Sequence, residues 1–292
     1  MDSKDFRLLV ALHMDARASY RALGRRVSLT APAVRERLRR LEALRILQGY
    51  MISIEPSVLD REELLVFFSG EWTRAEAIKV LDVPDVAWVA WKLDGGLTVQ
   101  TWPRDRAGTI REMTSVLGSK PSGQARAETK NPGPVSSLEW RIIDALLDDP
   151  RIPIGDLTES TGLSPKTVRK HLDRVLRDEL LFITPRLGAL ADSGELVYTL
   201  AVFGTIGMGE LRRVLGDAFP VNELKEPPAR YLLCRGSDIG DVMSKTQVLG
   251  KLPGVTSVAV SLNREIIVGT GFLRRLVREQ IERPGRAREG RS

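Results

Sequence analysis

Residues 25–40 combine arginines with small side chains at a spacing that suits recognition of a polyanion. If this segment is helical, Val34, Leu38 and Leu41 recur at i, i+4 and i+7 and form one buried edge. The residues predicted to face base edges from the opposite side are Thr30, Ala31, Ala33, Arg35 and Glu36. Arginine can bond guanine through two parallel hydrogen bonds, and threonine and alanine methyl groups can meet a thymine methyl group. The residues predicted to lie along phosphates are Arg25, Arg26, Arg39 and Arg40.

Residues 5–47 recur 134 positions later without a gap. Residues 5–9 align with residues 139–143, and Arg35 aligns with Arg169. Such an internal repeat means that the structural unit is about half of the 292-residue chain and is used twice. The residues predicted to contact DNA in the second copy are Ser164, Lys166, Thr167, Arg169, Lys170 and Arg174.

The two copies differ in charge. Residues 1–58 carry 11 basic and 6 acidic side chains, a net charge of +5, whereas residues 135–188 carry 8 and 9, a net charge of −1. Nonspecific affinity for DNA comes from neutralised phosphates, so we expect the first copy to bind DNA more strongly. The alternatives are a solvated basic surface in the first copy, and a second copy retained for packing or dimerisation.

Helix start and stop signals surround both predicted recognition helices. In the first copy we expect helices at residues 5–12 and 19–23, a turn at residues 28–30 with Thr30 as N-cap, and a third helix that tolerates Pro32 in its first turn. In the second copy Gly162 suits a helix end, and Ser164 with Pro165 suits the next helix start. Strands predicted at residues 46–55 and 180–183 complete two winged helix-turn-helix modules.

A β-rich segment follows each helical module and has the order βαββαβ, which is ferredoxin-like. In the first segment we predict strands at residues 63–71, 86–93, 97–102 and 124–129 and helices at 74–81 and 107–117. In the second we predict strands at residues 195–203, 221–226, 230–235 and 255–268 and helices at 209–217 and 238–252. The predicted fold class is therefore α+β, with two winged helix-turn-helix modules alternating with two ferredoxin-like modules. Strand alternation places Trp88 and Trp91 on opposite sheet faces, one toward the helices and one toward an interface between modules.

These elements divide the chain into predicted domains. The helical modules occupy residues 1–58 and 137–188, and the ferredoxin-like modules occupy residues 59–130 and 189–275. Residues 131–136, with the sequence Asn-Pro-Gly-Pro at 131–134, form the predicted linker. A basic helix is expected at residues 272–282, and residues 276–292 comprise its end and a predicted disordered tail.

The first helical module carries a family resemblance. The run Arg35-x-Arg37-x2-Arg40-Leu41-Glu42-x3-Ile46-x2-Gly49-Tyr50-x5-Pro56-x2-Leu59 resembles the Lrp/AsnC transcription regulators. The resemblance covers nearly all of residues 1–275 as two fused copies, and in the β-rich modules it rests on element order. It implies a winged helix-turn-helix followed by a βαββαβ effector module, often called a RAM domain, in each copy.

The resemblance also implies partners. Double-stranded DNA is the expected macromolecular partner, and a small effector such as an amino acid is expected between paired effector modules, near a strand hairpin. The implied effector-binding residues are Asp94, Gly95, Gly96 and Arg230. Pairing is expected either within one chain, as a pseudo-dimer, or between two chains as a homodimer.

Other functional classes are less well supported by the residues. The sirohaem decarboxylases share this architecture and, by resemblance, use histidines in the βαββαβ part, whereas His13 and His171 both lie in the helical modules. We predict that His171 makes a surface or phosphate contact and that His13 is a surface residue near a helix end. We therefore expect a regulator rather than an enzyme, with a decarboxylase-like or tetrapyrrole-binding protein as the alternative and a protein-binding scaffold as a third class. The single cysteine, Cys234, excludes an internal disulfide or a multi-cysteine metal site, and we predict that it is a buried small hydrophobe. We expect no cofactor and, because no apolar run reaches the length of a membrane span, a cytoplasmic location.

Overall fold

Three helices form the first helical module, and each begins where the sequence supplies a capping side chain. The computed structural model describes residues 1–188, 194–269 and 271–282. The helices are α1 (Ser3–Met14), α2 (Tyr20–Val27) and α3 (Ala31–Ala43). Asp2, Ser19 and Thr30 accept from the first free backbone N–H groups, which satisfies donors that no helical carbonyl can reach. The inward face of α3 consists of Val34, Leu38 and Leu41, as predicted.

The second helical module repeats this plan with α6 (Ser137–Leu146), α7 (Ile154–Thr161) and α8 (Pro165–Arg177). Gly162 ends α7 with a φ of +64°, a left-handed conformation that glycine adopts without strain. Ser164 caps α8 and Pro165 occupies its first turn, so the predicted start and stop signals are confirmed. Val168, Leu172 and Val175 form the buried edge of α8.

The strand after each helical module pairs with the equivalent strand of the other module. β1 (Leu47–Ile54) and β6 (Leu181–Leu187) form a two-stranded antiparallel sheet, with Ile54 opposite Leu181 and Ile52 opposite Ile183. The sequence predicted both strands but not their partner. We call α1–α3 with β1 the first head, and α6–α8 with β6 the second head. The β1–β6 sheet therefore joins the two heads within one chain.

The two effector modules share one sheet. The first module contains β2 (Leu64–Phe68), α4 (Arg74–Lys79), β3 (Val86–Lys92), β4 (Leu97–Thr101), α5 (Arg106–Leu117) and β5 (Gly123–Ala127). The second contains β7 (Leu196–Gly204), α9 (Met208–Leu215), β8 (Ala218–Glu226), β9 (Pro228–Gly236), α10 (Ile239–Gly250) and β10 (Val255–Ser261). Both follow the predicted order βαββαβ, and the predicted α+β fold class is confirmed.

The last predicted strand, residues 255–268, is wrong as a single element. It divides at Leu262 into β10 and β11 (Asn263–Val268), because its first half pairs with β7 and its second half crosses to β3 of the other module. The sheet order is β10-β7-β9-β8-β5-β2-β4-β3-β11. The two strands at the ends of this order are consecutive in the chain, so the backbone connects one end of the sheet directly to the other.

Two contacts fix the heads to the effector modules. The C-terminal helix α11 (Phe272–Glu282) packs against α6, and the ring of Phe272 lies 5.4 Å from that of Trp102. On the other side α1 reaches β8, where the His13 and Phe219 rings are 3.9 Å apart. Each head therefore contacts the effector module of the opposite copy.

The effector modules meet through a small hydrophobic cluster. Leu65, Ala125 and Leu224 are buried there, and Phe67 stacks on Tyr231 with centroids 6.1 Å apart. Trp88 packs against this cluster and Trp91 packs on the helix-covered side, so the predicted division of the two tryptophans is confirmed. Cys234 is buried as predicted, and burial raises its thiol pKa to about 12. Along the described residues, the helices lack the length and apolarity that a membrane crossing requires.

Candidate nucleic-acid interface and effector junction

The outer surfaces of α2 and α3 present arginines to solvent. Arg25, Arg35 and Arg39 are exposed, and none of them has a hydrogen bond or ion pair among the described residues. Glu36 is also exposed, and Ala31 and Ala33 are half-buried at the start of the helix. Cations without an internal partner are available to phosphates or base edges.

Two predicted phosphate contacts of the first head have internal partners. The Arg40 Nη2 atom donates to Asp5 Oδ2 at 2.5 Å, and Arg37 donates to the other oxygen of the same carboxylate at 2.7 Å. Arg26 donates to the Ala11 carbonyl at 3.3 Å. The Asp5 side chain is inaccessible to solvent, so Arg40 and Arg37 hold α3 against α1. Because of these internal partners, we do not include Arg40 and Arg26 among the proposed DNA contacts.

The second head presents a different set of cations. Lys166, Arg169 and Lys170 are exposed and have no partner among the residues with described positions. Ser164 caps α8, and its hydroxyl lies 2.8 Å from that of Thr167. Arg174, by contrast, donates to both Glu139 oxygens at 2.6 and 2.7 Å. Arg174 therefore anchors α8 to α6, as Arg40 anchors α3 to α1.

Both histidines lie in contacts that the sequence did not predict. His171 was expected at a surface or phosphate contact, but its Nδ1 lies 3.0 Å from Glu139 Oε1 and its side chain is only 18% exposed. His13 was expected to be a surface residue, but it packs on Phe219 and its Nδ1 lies 2.9 Å from Thr184 Oγ1. Burial lowers the His13 pKa to about 4. These expectations were wrong because helix periodicity indicates the side of a helix on which a residue lies, but not which other element packs against that side.

The two predicted effector hairpins lie at different junctions between the effector modules. Residues 94–96 form the turn between β3 and β4, where Gly95 has a φ of +85°. The adjacent Leu93 N–H donates to the Leu262 carbonyl at 2.7 Å, at the bend between β10 and β11. The other hairpin joins β8 to β9, and its Glu226 pairs with Arg126 of β5 at 3.0 Å. The structure therefore does not bring Arg230 together with residues 94–96.

A cavity of about 260 Å³ opens beside the second hairpin. Its polar lining includes Glu128 from the first effector module and Thr205, Glu223, Lys225 and Arg230 from the second. Arg230 is braced there, because its Nε donates to the Ile206 carbonyl at 2.8 Å and its Nη2 pairs with Glu223. Sequence reasoning found Arg230 but missed the acidic residues, since their spacing along the chain carries no signal of this juxtaposition.

An acidic residue also lies between the effector modules. Glu63 Oε1 accepts hydrogen bonds from Gln100 Nε2 of the same module and from Asn222 Nδ2 of the other. Burial raises the pKa of Glu63 to about 7, although these two amide donors oppose the shift. No sequence motif marked Glu63, because its environment exists only once β4 and β8 are in place.

The fold and these surfaces define the class: a protein with two winged helix-turn-helix heads on paired ferredoxin-like modules. Residues 1–42 match the family described as AsnC-type helix-turn-helix domain, and residues 136–181 match the family described as winged helix-turn-helix DNA-binding. Each helical module thus matches a helix-turn-helix family model, and the model matched by the first module is of the AsnC type.

Two named relatives match part of the chain. The transcriptional regulator LrpC of Bacillus subtilis is 36% identical over 59 residues, which are 20% of this chain and 41% of that protein. LrpA1 of Halobacterium salinarum is 33% identical over 63 residues, 22% of this chain and 44% of that protein. The chain thus aligns with less than half the length of these two relatives. The crystal structure of the siroheme decarboxylase NirDL resembles the full chain in fold, with a TM-score of 0.50, 11% identity and coverage of 95% of this chain and 98% of that one.

Proposed function

We propose that this chain is a sequence-specific DNA-binding regulator of transcription whose affinity for DNA responds to a small effector. The observation that supports it best is the set of exposed cations on α2 and α3 that have no partner among the described residues, in a head joined through the β1–β6 sheet to a second such head. Two heads held together would engage half-sites separated by about one helical turn or a multiple of it. The proposed contacts are Thr30, Ala31, Ala33, Arg25, Arg35, Glu36 and Arg39 in the first head and Ser164, Lys166, Thr167, Arg169 and Lys170 in the second.

Gel-shift titration with the full-length protein tests DNA binding. On a preferred site, Arg35→Ala should weaken binding by ~1–3 kcal/mol if Arg35 reads a guanine. Arg169→Ala should cost less, because the second head has the lower charge. Equal loss from Arg35→Ala on every sequence would make Arg35 a phosphate contact, and affinity no greater than that of a neutral control protein at low salt would refute DNA binding.

The effector site we propose is the cavity beside Arg230. A guanidinium next to carboxylates suits a ligand that carries both charges, such as an amino acid, with its carboxylate on Arg230 and its ammonium group near Glu128 or Glu223. The strand β8 links this cavity to the first head, because Glu223 and Lys225 line the cavity while Phe219 contacts His13. A ligand changes DNA affinity only if it binds the DNA-bound and DNA-free forms of the protein unequally.

Thermal unfolding with each amino acid in excess tests this site. Binding to the native state should raise the melting temperature of the wild type but not of Arg230→Ala. Arg235→Ala is the matched control, since Arg235 lies on the same strand and pairs with Glu195 outside the cavity. A ligand that shifts wild type and Arg230→Ala equally would place the effector elsewhere.

The decarboxylase-like alternative has support from the full-length fold likeness to NirDL. Tetrapyrrole absorbance distinguishes the two functions. A regulator should leave the spectrum of an added iron tetrapyrrole unchanged, whereas stoichiometric binding with a shifted absorption band would favour the alternative.

A further inference from the structure

The two heads are joined through the β1–β6 sheet yet present different chemistry at equivalent positions. A residue of the first head corresponds to the residue 134 positions later in the second. Both heads contain the same type of anchoring ion pair. The side chains of Asp5 and Glu139 are both inaccessible to solvent, and they bind Arg40 and Arg174, respectively. The β1–β6 sheet fixes one head to the other. Both heads therefore share one framework, and differences on their outer surfaces can be compared position by position.

Two positions, one on the recognition helix and one on the helix before it, change sign of charge between the heads. Arg25 and Arg39 of the first head correspond to Glu159 and Asp173 of the second, and all four side chains are exposed. Arg21, also exposed, corresponds to Gly155. These are positions where a helix-turn-helix head meets the sugar-phosphate backbone. The first head can therefore neutralise several phosphates that the second head cannot.

The positions at the N-terminal ends of α3 and α8 change in hydrogen-bonding capacity. Pro32 and Ala33 correspond to Lys166 and Thr167, and Glu36 corresponds to Lys170. A carboxylate accepts from the cytosine amino group, whereas a lysine donates to guanine, so Glu36 and Lys170 favour different bases. Arg35 and Arg169 are the one identical cationic pair at these ends, and both are exposed without a partner in the described part of the chain.

From this comparison we infer that the chain recognises a non-palindromic duplex with two chemically different half-sites, each read through its bases by one head, with more phosphate contacts under the first head than under the second. The inference rests on the proposed function. A homodimer of identical heads would favour inverted repeats, because protein symmetry is mirrored in the operator. Two unlike heads in one chain remove that requirement and give the protein a defined direction on the DNA.

Selection of bound duplexes from a random library with the full-length chain tests this directly. Half-site A is defined as the selected sequence whose base preference disappears with Arg35→Ala, and half-site B as the one whose preference disappears with Arg169→Ala. Three duplexes (A–B, A–A and B–B) are then compared with a shuffled control. We expect A–B to bind at least about tenfold more tightly than A–A and B–B, since each wrong base pair under a head costs about that factor or more. Hydroxyl-radical footprinting on A–B should show stronger backbone protection over A.

A matched pair of variants separates phosphate from base contacts. Arg39→Ala should reduce the slope of log affinity against log salt by ~1, whereas Asp173→Ala at the equivalent position should not reduce it. Both side chains are exposed and unpartnered among the described residues, so neither change should impair folding. Equal binding of A–A or B–B and A–B would overturn this inference alone. Binding of all three no tighter than the shuffled control would overturn the proposed function and the inference with it.

Discussion

The heads and the effector modules differ in the partners that they provide for carboxylates shielded from solvent. In the heads, Asp5 and Glu139 are inaccessible, and each binds an arginine of the recognition helix. Between the effector modules, the Glu63 side chain accepts hydrogen bonds from the Gln100 and Asn222 amides, and it has no cationic partner among the described residues. A desolvated carboxylate without a cation favours its protonated form, whereas one beside a guanidinium favours its charged form. The comparison therefore separates fixed charges that brace the heads from a titratable group between the modules.

The direction of the pKa shifts follows this division. Burial acts to raise the Glu139 pKa, but bonds from His171, Ser136 and Arg174 outweigh it and hold the pKa below its usual value. Burial dominates at Glu63 and raises its pKa to about 7. The Glu139 carboxylate should accordingly stay charged across neutral pH and keep α8 anchored to α6. The interface between effector modules, where we propose that a ligand acts, is the part whose charge state changes.

The largest expected effect is on the second head. Arg174→Ala would leave Glu139 inaccessible and without its guanidinium, and breaking such a pair from one side costs about 3 to 4 kcal/mol of unfolding free energy. Arg40→Ala in the first head should cost less, because Arg37 remains as a permanent cation on Asp5, whereas His171 at the equivalent position beside Glu139 is charged only when protonated. Denaturant unfolding of both variants at pH 7.5 measures the difference. Equal losses would mean that the two anchors are not organised as the contacts indicate.

Glu63→Gln should stabilise the protein at alkaline pH. A carboxyl whose folded pKa is raised binds more protons in the folded state, so its contribution is present at low pH and is lost as pH rises from about 4.5 through 7. That difference corresponds to up to ~3 kcal/mol at pH 8, which a neutral glutamine would recover. Unfolding free energies at pH 5 and pH 8 measure it. A Glu63→Gln variant that gains nothing at pH 8 relative to pH 5 would contradict the enclosed position of Glu63.

His13 should contribute a pH dependence of the opposite sign. Its folded pKa is lowered to about 4, so the unfolded chain binds more protons and stability is lost as pH falls from 6.5 toward 4. Because the ring is not fully enclosed, we expect about 2 kcal/mol rather than the full value. His13→Gln should remove this loss. In the wild type the two groups change the unfolding free energy with pH in opposite directions. The Glu63→Gln variant should therefore show the pH dependence that is due to His13. An unfolding free energy of that variant that does not change with pH would refute the contribution of His13.

Local sequence signals predicted the elements but not the contacts between copies. Thr30, Ser164 and Gly162 marked helix ends because capping and left-handed conformations depend on the residue itself. Trp88 and Trp91 were separated by strand alternation alone. The bend at Leu262 could not be predicted, since residues 255–268 read as one strand and the change of partner from β7 to β3 depends on the other module.

Sequence signals likewise predicted some residues of the candidate site and missed others. Arg35 and Arg169 are exposed on their helices, as periodicity indicated, whereas Arg40 and Arg174 resemble their neighbours in sequence and differ only in reaching a buried acid. The repeat itself held a usable signal. The acidic residues 5 and 139 occupy equivalent positions on predicted apolar helix faces, and such a position requires an internal cation. Glu63 and the lining of the Arg230 cavity have no comparable signal, because residues far apart in sequence create both.

The smallest expected effect concerns the turn before each recognition helix. Gly162 ends α7 in a left-handed conformation, and its counterpart in the first head, Ser28, adopts the same conformation with a φ of 55°. A side chain disfavours this backbone region by ~1 kcal/mol, whereas glycine does not. Ser28→Gly should therefore stabilise the protein by somewhat less than this amount, because glycine also loses more entropy on folding, and Gly162→Ser should destabilise it. Thermal unfolding of both variants measures the pair, and a change of the same sign in both would show that the two turns are not conformationally equivalent.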